Sequence, residues 1–340
     1  MTKSTKLISM IIFLLAVTGC STPEVASITY RPMTDIRTLD ITVSPESFEN
    51  VAINIFSYGE TEPTNLSQIH LKTPRDPLNL MIRNGVVGAD ADVVLKLFYN
   101  YEEVAFRIRG SNEYMTELFF TLEGGYRFDI PIYLDLPLEP KETVSKLTFG
   151  FFYFVDEFAF NIEDPYPWMQ GGIFNLEINY GIDEPFILLA EEFTEVIHYP
   201  DWTGNAFLVN QQFELTDEDI ELNVFYFPPT VIQTSPNERL ELAFQAGLHG
   251  SITEPVTDIL IISMLEWQQI PMSGQPFLWI PVDKDDYALQ HGFFYIYVPA
   301  EPGFYDFTAI AIPNPTSPLS WNNFFPLEIA IRFTIEVVAD

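Results

Sequence analysis

Cysteine and basic residues are both scarce in this 340-residue sequence, and each shortage excludes a class of structure or partner. Cys20 is the only cysteine, so the chain cannot form an internal disulfide and must draw its stability from the burial of apolar side chains. Lys and Arg together number 16 against 48 Asp and Glu, which gives a formal net charge of −32. Because proteins bind nucleic acid and anionic lipid surfaces through Lys and Arg, both kinds of partner are disfavoured.

The sequence also lacks the patterns that mark common catalytic and metal sites. No Gly-x-Ser-x-Gly elbow, Walker loop or dinucleotide-binding fingerprint occurs. The four histidines, His70, His198, His249 and His291, are widely scattered and fit none of the zinc spacings. We therefore predict that the protein is not an enzyme and that it has no cofactor and no metal ligands of these types.

The many acidic residues leave two alternatives open. A glycosidase needs only two carboxyl groups about 5–10 Å apart, and 48 acids make such pairs inevitable by chance. Calcium is bound by about six to eight oxygen ligands from flexible loops. Three acidic clusters could supply such ligands: Asp90 with Asp92, Asp217-Glu218-Asp219, and Asp283 with Asp285 and Asp286. None of them has the EF-hand spacing, so a solvated turn is the favoured interpretation of each.

The N-terminus has the organisation of a secretory leader. Lys3 and Lys6 provide a positive start, and an apolar run from Leu7 to Ala16 ends at small residues. A membrane-spanning helix needs about 20 apolar residues, and this run is shorter. We therefore interpret residues 1–19 as a signal peptide that is removed.

The segment Val17-Thr18-Gly19-Cys20 resembles the lipobox of bacterial lipoproteins, in which small residues precede an invariant cysteine. The resemblance implies cleavage after Gly19, a thioether from Cys20 to diacylglycerol, and acylation of the new N-terminus. It places the protein outside the cytoplasm, anchored to lipid of the cell membrane or the outer membrane, because two or three acyl chains hold a protein firmly. The alternative is an ordinary secretory signal with an incidental cysteine.

The mature chain is more acidic than the whole sequence. Removal of Lys3 and Lys6 takes two positive charges from −32 and leaves about −34. No Lys or Arg occurs between Lys146 and Arg239, so negative charge is densest in the middle of the chain. Solubility and self-repulsion at a crowded surface are the favoured reason for this charge, and attraction of cationic partners or calcium is the alternative.

Composition and patterning predict an all-β fold. Hydrophobic residues make up 47% of the chain and aromatic residues 15%, in short runs broken by 26 prolines and 17 glycines. In the first half we predict strands at Ile28–Tyr30, Leu39–Val43, Val51–Phe56, Val93–Tyr99, Val104–Ile108, Leu118–Leu122, Phe128–Leu134, Leu147–Phe154 and Phe174–Tyr180. Pro131 cannot donate a ladder hydrogen bond, so we expect its strand at an edge or a bulge. Strands without helical crossovers predict antiparallel β-sandwiches of the immunoglobulin-like class, with a jelly roll as the alternative.

Weak internal matches predict a tandem duplication. We expect a tether at 20–26, a first sandwich at 27–182, a linker at 183–195 and a second sandwich at 196–340. The linker could include a short helix over Ile187 to Ile197, although the repeat favours a strand from about Glu195. The matched segments are Ile28–Tyr30 with Ile197–Tyr199, Ile53–Phe56 with Leu222–Phe225, Met115–Phe119 with Val256–Leu260, and Leu176–Ile178 with Leu327–Ile329.

Three tryptophans lie beside turn residues and are candidates for a binding face. Trp168 and Trp321 recur before the last strand of each predicted domain, so we interpret them as plugs of the core. Trp202 has no counterpart and is the candidate for ligand contact, because an exposed tryptophan can stack on a sugar.

The sequence therefore predicts a lipid-anchored extracytoplasmic protein that acts as a non-enzymatic binding or cell-envelope scaffold module. Its partners would be membrane lipid, through acylated Cys20, and a protein or glycan whose identity the sequence does not give. A carbohydrate-binding or calcium-assisted adhesive lipoprotein is the alternative. A glycan-processing enzyme is the third hypothesis.

Overall fold

The regular structure of the described residues consists of β-strands. The computed structural model describes residues 41–45, 52–57, 68–70, 78–85, 90–135, 144–154, 169–179, 186–188, 190–199, 206–211, 216, 229, 231–247, 256–282, 289–316, 328–330 and 332–339. Within these ranges no helix occurs, and the predicted all-β class is confirmed.

Eleven of the described strands lie before residue 180 and eleven after residue 195. The first group is β1 (Thr42–Pro45), β2 (Ala52–Ser57), β3 (Gln68–His70), β4 (Leu78–Gly85), β5 (Ala91–Tyr99), β6 (Glu102–Glu103), β7 (Arg107–Ile108), β8 (Glu117–Leu122), β9 (Tyr126–Leu134), β10 (Ser145–Phe154) and β11 (Met169–Asn179). The second group is β12 (Val196–Tyr199), β13 (Ala206–Gln211), β14 (Val231–Thr234), β15 (Arg239–Gly247), β16 (Asp258–Leu265), β17 (Gln268–Ile270), β18 (Leu278–Pro281), β19 (Leu289–Tyr297), β20 (Gly303–Pro313), β21 (Glu328–Ile329) and β22 (Phe333–Val337).

Each group of strands forms two sheets. Sheet 1 has the order β1-β9-β4-β2, with β7 also on β9, and sheet 2 has the order β3-β11-β10-β5-β6, with β8 also on β5. Sheet 3 has the order β12-β19-β15-β13, and sheet 4 has the order β14-β22-β20-β16-β17, with β18 on β16 and β21 on β20. All pairings are antiparallel except β3 with β11 and β14 with β22, which are parallel. We call sheets 1 and 2 the N-terminal sandwich, and sheets 3 and 4 the C-terminal sandwich.

Alternating side chains fill the core of each sandwich. On β9, Phe128, Ile130, Ile132 and Leu134 are all buried in the core between sheets 1 and 2, as the period of two predicts. Sheets 3 and 4 enclose an equivalent core that includes Phe244 and Phe294.

Pro131 lies neither on an edge strand nor at a bulge in its continuous pairing with β4, and that prediction is wrong. Its strand β9 pairs with β4 on one side, and with β1 and then β7 on the other. The pairing with β1 ends at Asp129, and the pairing with β7 begins at Ile132. Arg109 N–H donates to the Pro131 carbonyl at 2.8 Å, so the backbone of Pro131 faces this second side. The missing N–H of the proline therefore falls in the gap between β1 and β7, where no ladder bond is lost.

The two sandwiches have the same strand order. Strands β1, β2, β4 and β9 of sheet 1 correspond to β12, β13, β15 and β19 of sheet 3, and both sheets are entirely antiparallel. Sheets 2 and 4 share the parallel outer pair and the order of the strands that follow it. This repeated topology is what a duplication produces.

Two of the four residue matches in the sequence are nevertheless not structural equivalents. Met115–Phe119 leads into β8 and Val256–Leu260 into β16, whereas the counterpart of β16 is β5. Leu176–Ile178 lies in β11, whose counterpart is β22 rather than the segment at Leu327–Ile329. The other two matches include segments outside the described residues. Alternating apolar residues recur in many β-strands, so they do not fix which strand matches which.

The optional helix over Ile187 to Ile197 is wrong for the part of that segment that is described. Phe186 and Leu188 are buried while Ile187 is 50% exposed, which is an alternation with a period of two. Phe193 N–H donates to the Trp279 carbonyl at 2.7 Å, and β12 begins at Val196. The segment is extended because its backbone forms a hydrogen bond to sheet 4 and its apolar side chains pack into the neighbouring cores.

Gly292 is required by close packing in the C-terminal sandwich. A Cβ atom at this position would lie 2.7 Å from two ring carbons of Phe244 and 3.0 Å from the carbonyl oxygen of Glu195. We expect Gly292→Ala to lower the free energy of unfolding by about 1–3 kcal/mol, since an overfilled core must shift to relieve the contact. Urea unfolding followed by circular dichroism measures the change.

Gly303→Ala is the matched control, because a Cβ atom there meets Tyr305 at an ordinary 3.6 Å. We expect this variant to lie within about 0.5 kcal/mol of the wild type. Equal losses in the two variants would contradict the proposed role of Gly292.

Candidate functional site

The residues that the sequence singles out for lipidation and ligand contact, Cys20 and Trp202, lie outside the described residues, as do Trp168 and Trp321. Of the histidines, His70 lies in β3, His198 in β12 and His291 in β19, while His249 is outside the described ranges. His291 is buried, and its Nδ1 lies 3.0 Å from the Phe244 carbonyl oxygen.

The described acidic cluster is tied to a turn. Gly124 N–H donates to Asp90 at 2.9 Å, and the Thr121 hydroxyl donates to Asp92 at 2.7 Å. Asp90 thus holds the connection between β8 and β9, and Asp92 bonds to its neighbour on the paired strand β8. Across the ranges given above, no group of three or more His, Cys, Asp or Glu side chains is placed to hold a metal ion. The clusters at 217–219 and 283–286 fall outside these ranges.

Sheets 2 and 4 pack against each other through their outer faces, and this interface is a third apolar core. Both faces of these two sheets are therefore covered. Sheet 2 contributes Val94, Phe98, Phe119, Phe152 and Ile173, and sheet 4 contributes Leu260, Ile262, Met264, Ile310 and Ile312.

The tips of two hairpins insert into this interface. The β5–β6 turn has Asn100 and Tyr101 at φ values of 50° and 68°, and the β16–β17 turn has Glu266 and Trp267 at 52° and 65°. Two successive residues in the left-handed region are typical of a type I′ turn, which matches the twist of the strands. The two turns join corresponding strands, so each sandwich presents one aromatic residue at the same place.

The first residue of each turn makes the same pair of bonds to the neighbouring strand. Asn100 N–H donates to the Lys146 carbonyl, and its side-chain oxygen accepts from Lys146 N–H, both at 2.8 Å. Glu266 N–H donates to the Asp306 carbonyl at 2.7 Å, and its carboxylate accepts from Asp306 N–H at 2.6 Å. These bonds hold each tip against its own sheet.

The second residue of each turn is inserted between the sandwiches. The Tyr101 ring lies edge-on to Phe186 and Phe277 with centroids 6.1 and 6.2 Å apart, and its hydroxyl donates to the Pro315 carbonyl at 2.7 Å. The Trp267 ring lies 5.2 Å from Phe152 and 6.4 Å from Phe119 between centroids. Each aromatic residue therefore crosses to the partner sandwich, and the tips interlock.

The two buried lysines of the interface donate hydrogen bonds across it. Lys96 is fully buried, and its ammonium group donates to Glu103 and to the Trp267 carbonyl. Lys146 donates to the Pro315 carbonyl at 2.6 Å. Burying a charge is costly unless it is bonded. Each lysine therefore uses a carbonyl of the opposite sandwich, and Lys96 is also paired with Glu103 and Glu117 of its own sheet.

The interface also accounts for the two strongly perturbed groups among its residues. Burial raises the pKa of Tyr101, and the charges of Asp258 and Glu177 raise it further. Burial lowers the pKa of Lys146 to about 8, against the opposing effect of Glu177 and Asp258. Perturbed pKa values often mark active sites, but here their cause is the packing of two sheets.

The side of the C-terminal sandwich carries a groove of about 590 Å³. It is bounded by the segment 191–195, the segment 273–278, and residues of β15 and β19. β12 pairs with β19 only as far as Gly292, and Ser273 N–H donates to the Tyr295 carbonyl at 2.8 Å. The groove therefore opens beside β19 between the start of β12 at Val196 and the turn at Ser273.

Aromatic rings and carboxylates line this groove. Phe293 and Tyr295 are partly exposed in it, and Glu191, Glu192 and Glu195 are exposed along the segment 191–195. No ion pair within the described part of the chain involves these three glutamates.

Among the described residues, Arg239 is the one cation that lines the groove. Its guanidinium carbon lies 4.0 Å from the centroid of the Tyr295 ring, and it forms an ion pair with Glu241 at 3.0 Å. The positive charge of Arg239 is therefore already balanced.

Neither the interlock nor the groove was predicted from the sequence. Asn100-Tyr101 and Glu266-Trp267 contain no glycine, so neither has the usual signature of a type I′ turn. The groove joins segments far apart in the chain, and only the acidity of the run from Lys146 to Arg239 pointed toward it.

Comparison with known proteins gives no family. No family model matches the chain, and no curated protein matches it. The C-terminal domain of the Streptococcus agalactiae AgI/II polypeptide BspA aligns with 84% of this chain and 99% of its own length, at 7% identity and a TM-score of 0.23. The C-terminal domain of the Streptococcus pyogenes antigen I/II-family protein AspA has 8% identity and a TM-score of 0.21, over 85% of this chain and 99% of that domain. The E. coli chaperone DraB has 9% identity and a TM-score of 0.24, over 85% of this chain and 97% of that one.

Similarity at these TM-scores carries no argument about function, and the description of the fold rests on the strand order. The described residues contain no apolar helix of the length that a membrane crossing requires.

We expect Trp267→Ala to lower the free energy of unfolding by about 3–5 kcal/mol, because it empties the volume of a buried aromatic residue. Tyr297→Ala is the control, since Tyr297 is 65% exposed, and it should change stability by no more than about 0.5 kcal/mol. Urea unfolding measures both. A loss at Trp267 no larger than that of the control would show that the tip does not hold the sandwiches together.

The lowered pKa of Lys146 predicts a pH dependence. The folded protein holds the proton of Lys146 less tightly than the unfolded chain does. Burial of the charged group therefore costs stability in full below the folded-state pKa of about 8, and this cost fades as the pH rises toward the ordinary pKa of 10.5. Relative to Lys146→Met, the wild type should therefore gain about 2 kcal/mol of stability between about pH 7 and pH 9.5. Urea unfolding of both proteins at the two pH values gives the difference. A constant difference would contradict the assignment.

Proposed function

We propose that this chain is a membrane-anchored extracytoplasmic lipoprotein that acts as a non-enzymatic binding module, with its two sandwiches working as one rigid body. The interlock of Tyr101 and Trp267 is the observation that carries the proposal. It fills the space between the sandwiches with side chains, whereas an enzyme that works at a domain boundary needs a cleft there.

The chemistry of the interface supports a structural role for its ionisable groups. Lys96, Lys146 and Tyr101 are all buried, and the bonds described above take up their polar atoms. A catalytic acid or base must reach a substrate, and these groups are sealed from it. The groove of the C-terminal sandwich is instead open to solvent, and it is the surface that we assign to binding.

The sequence supports the anchor. Cys20 follows a lipobox-like segment, and the acidic domains that follow would remain soluble while tethered. Cell-envelope scaffolding is compatible with the same arrangement, because a rigid module held at a membrane can position whatever it binds.

We expect radiolabelled palmitate to be incorporated into the wild-type protein and to be absent from Cys20→Ala, because the thiol is the acceptor. Ser21→Ala is the matched control and should keep the label, since it changes the adjacent residue and spares the thiol. Autoradiography of the purified proteins after metabolic labelling makes the comparison.

Label that persists in Cys20→Ala would refute the anchor. Release of reducing ends from glycan fragments by the purified wild-type protein would refute the non-enzymatic part of the proposal and favour the glycan-processing hypothesis.

A further inference from the structure

The groove on the C-terminal sandwich has the volume of a ligand site, and the charges exposed in it are mainly negative. Its volume of about 590 Å³ falls within the range of about 300–1,000 Å³ that is usual for ligand sites. We infer that this groove is a docking site for a cationic peptide segment that presents arginine or lysine side chains. The inference rests on the proposed binding function and specifies the partner.

Charge complementarity decides the sign of the occupant. Glu191, Glu192 and Glu195 stand exposed along one side of the groove, and Arg239, the only cation that lines it in the described part of the chain, is paired with Glu241. The chain as a whole has a net charge of −32, so its field adds to the local attraction of a cation. A phosphate-rich or carboxylate-rich partner would be repelled by both.

The aromatic lining explains how a cationic side chain would be held. Phe293 offers a partly exposed ring in the same groove as the carboxylates, and Tyr295 offers a second ring whose face is covered by Arg239. Guanidinium and ammonium groups are attracted to the faces of aromatic rings, and the aliphatic stems of these side chains pack on apolar surface. A ring face beside a carboxylate therefore suits arginine better than it suits a neutral ligand.

The protein itself provides an example of this contact. Arg239 lies over Tyr295 with 4.0 Å between the guanidinium carbon and the ring centroid, and it forms an ion pair with Glu241 at 3.0 Å. A guanidinium group thus already occupies one combination of ring and carboxylate in the groove. Removing Arg239 would free that position for a guanidinium from a partner.

The test measures fluorescence anisotropy of a labelled Arg-Gly repeat peptide with the full-length protein in detergent. The matched probe has citrulline in place of arginine, which keeps the shape and removes the charge. We expect the citrulline peptide to bind about tenfold more weakly or worse, and the binding of the arginine peptide to weaken as salt is added.

Two sets of substitutions locate the binding. The variant Glu191→Gln with Glu192→Gln and Glu195→Gln should bind the arginine peptide about tenfold more weakly. The control Glu102→Gln with Glu113→Gln and Glu301→Gln removes the same charge from exposed positions elsewhere, and should stay within about twofold of the wild type. Equal losses in the two triple variants would mean diffuse attraction by an acidic protein and would overturn the inference.

A change at Arg239 gives an effect in the opposite direction. Arg239→Gln frees the Tyr295 ring and Glu241, so binding of the arginine peptide should strengthen about threefold. Arg109→Gln, which removes a cation from the exposed turn after β7, should leave it unchanged. No gain in Arg239→Gln, or the same gain in both, would contradict the assignment.

The failure of this inference is separable from that of the proposed function. If the arginine and citrulline peptides bind equally, or glycan fragments bind in their place, the cationic partner is refuted while a binding module remains. If the palmitate label persists in Cys20→Ala, the anchor fails regardless of the peptide result.

Discussion

The packing of sheet 2 against sheet 4 is the interaction on which the rest of this structure depends. An antiparallel sheet commonly has one face in the core and one face in water, but both faces of sheets 2 and 4 are covered. The four sheets therefore form a continuous stack, and the strands within each sheet run mostly antiparallel. This packing also determines where positive charge is buried. Lys96 and Lys146 are buried where the sandwiches meet, and their bonds to the Trp267 and Pro315 carbonyls come from the other sandwich.

The sequence contained a sign of this interface that domain-by-domain patterning overlooked. Every residue of β16, Asp258–Leu265, is buried, and β5 is buried along nearly all its length. A continuous apolar run is typical of a strand covered on both faces, whereas alternation is typical of a strand with one face in water. The all-β class followed from alternation and turn residues, as in β9, where the buried positions were correctly predicted. The interlock could not follow, because Asn100-Tyr101 and Glu266-Trp267 adopt left-handed backbone without glycine.

The candidate site was less predictable than the fold for a related reason. Local patterns report whether a residue faces a core, but a groove depends on where separate segments meet. Glu191 to Glu195 reach β15 and β19 because Phe193 N–H donates to Trp279 on sheet 4 and β12 begins only at Val196. The acidic bias of the middle of the chain indicated the sign of the charge, and the backbone path determined where that charge lies.

The bond from Tyr101 to the Pro315 carbonyl has a consequence for the making of this protein. Tyr101 and Pro315 are 214 positions apart in the chain. A polypeptide delivered from its N-terminus has all strands of the N-terminal sandwich available while the outer face of sheet 2 still lacks Trp267, Pro315 and the strands of sheet 4. Until they arrive, that face presents Phe98, Phe152 and two lysines that lack their carbonyl partners to water or to other chains. Completion of the first sandwich is therefore tied to the arrival of the second, and the interval between them is when this chain is most exposed to aggregation.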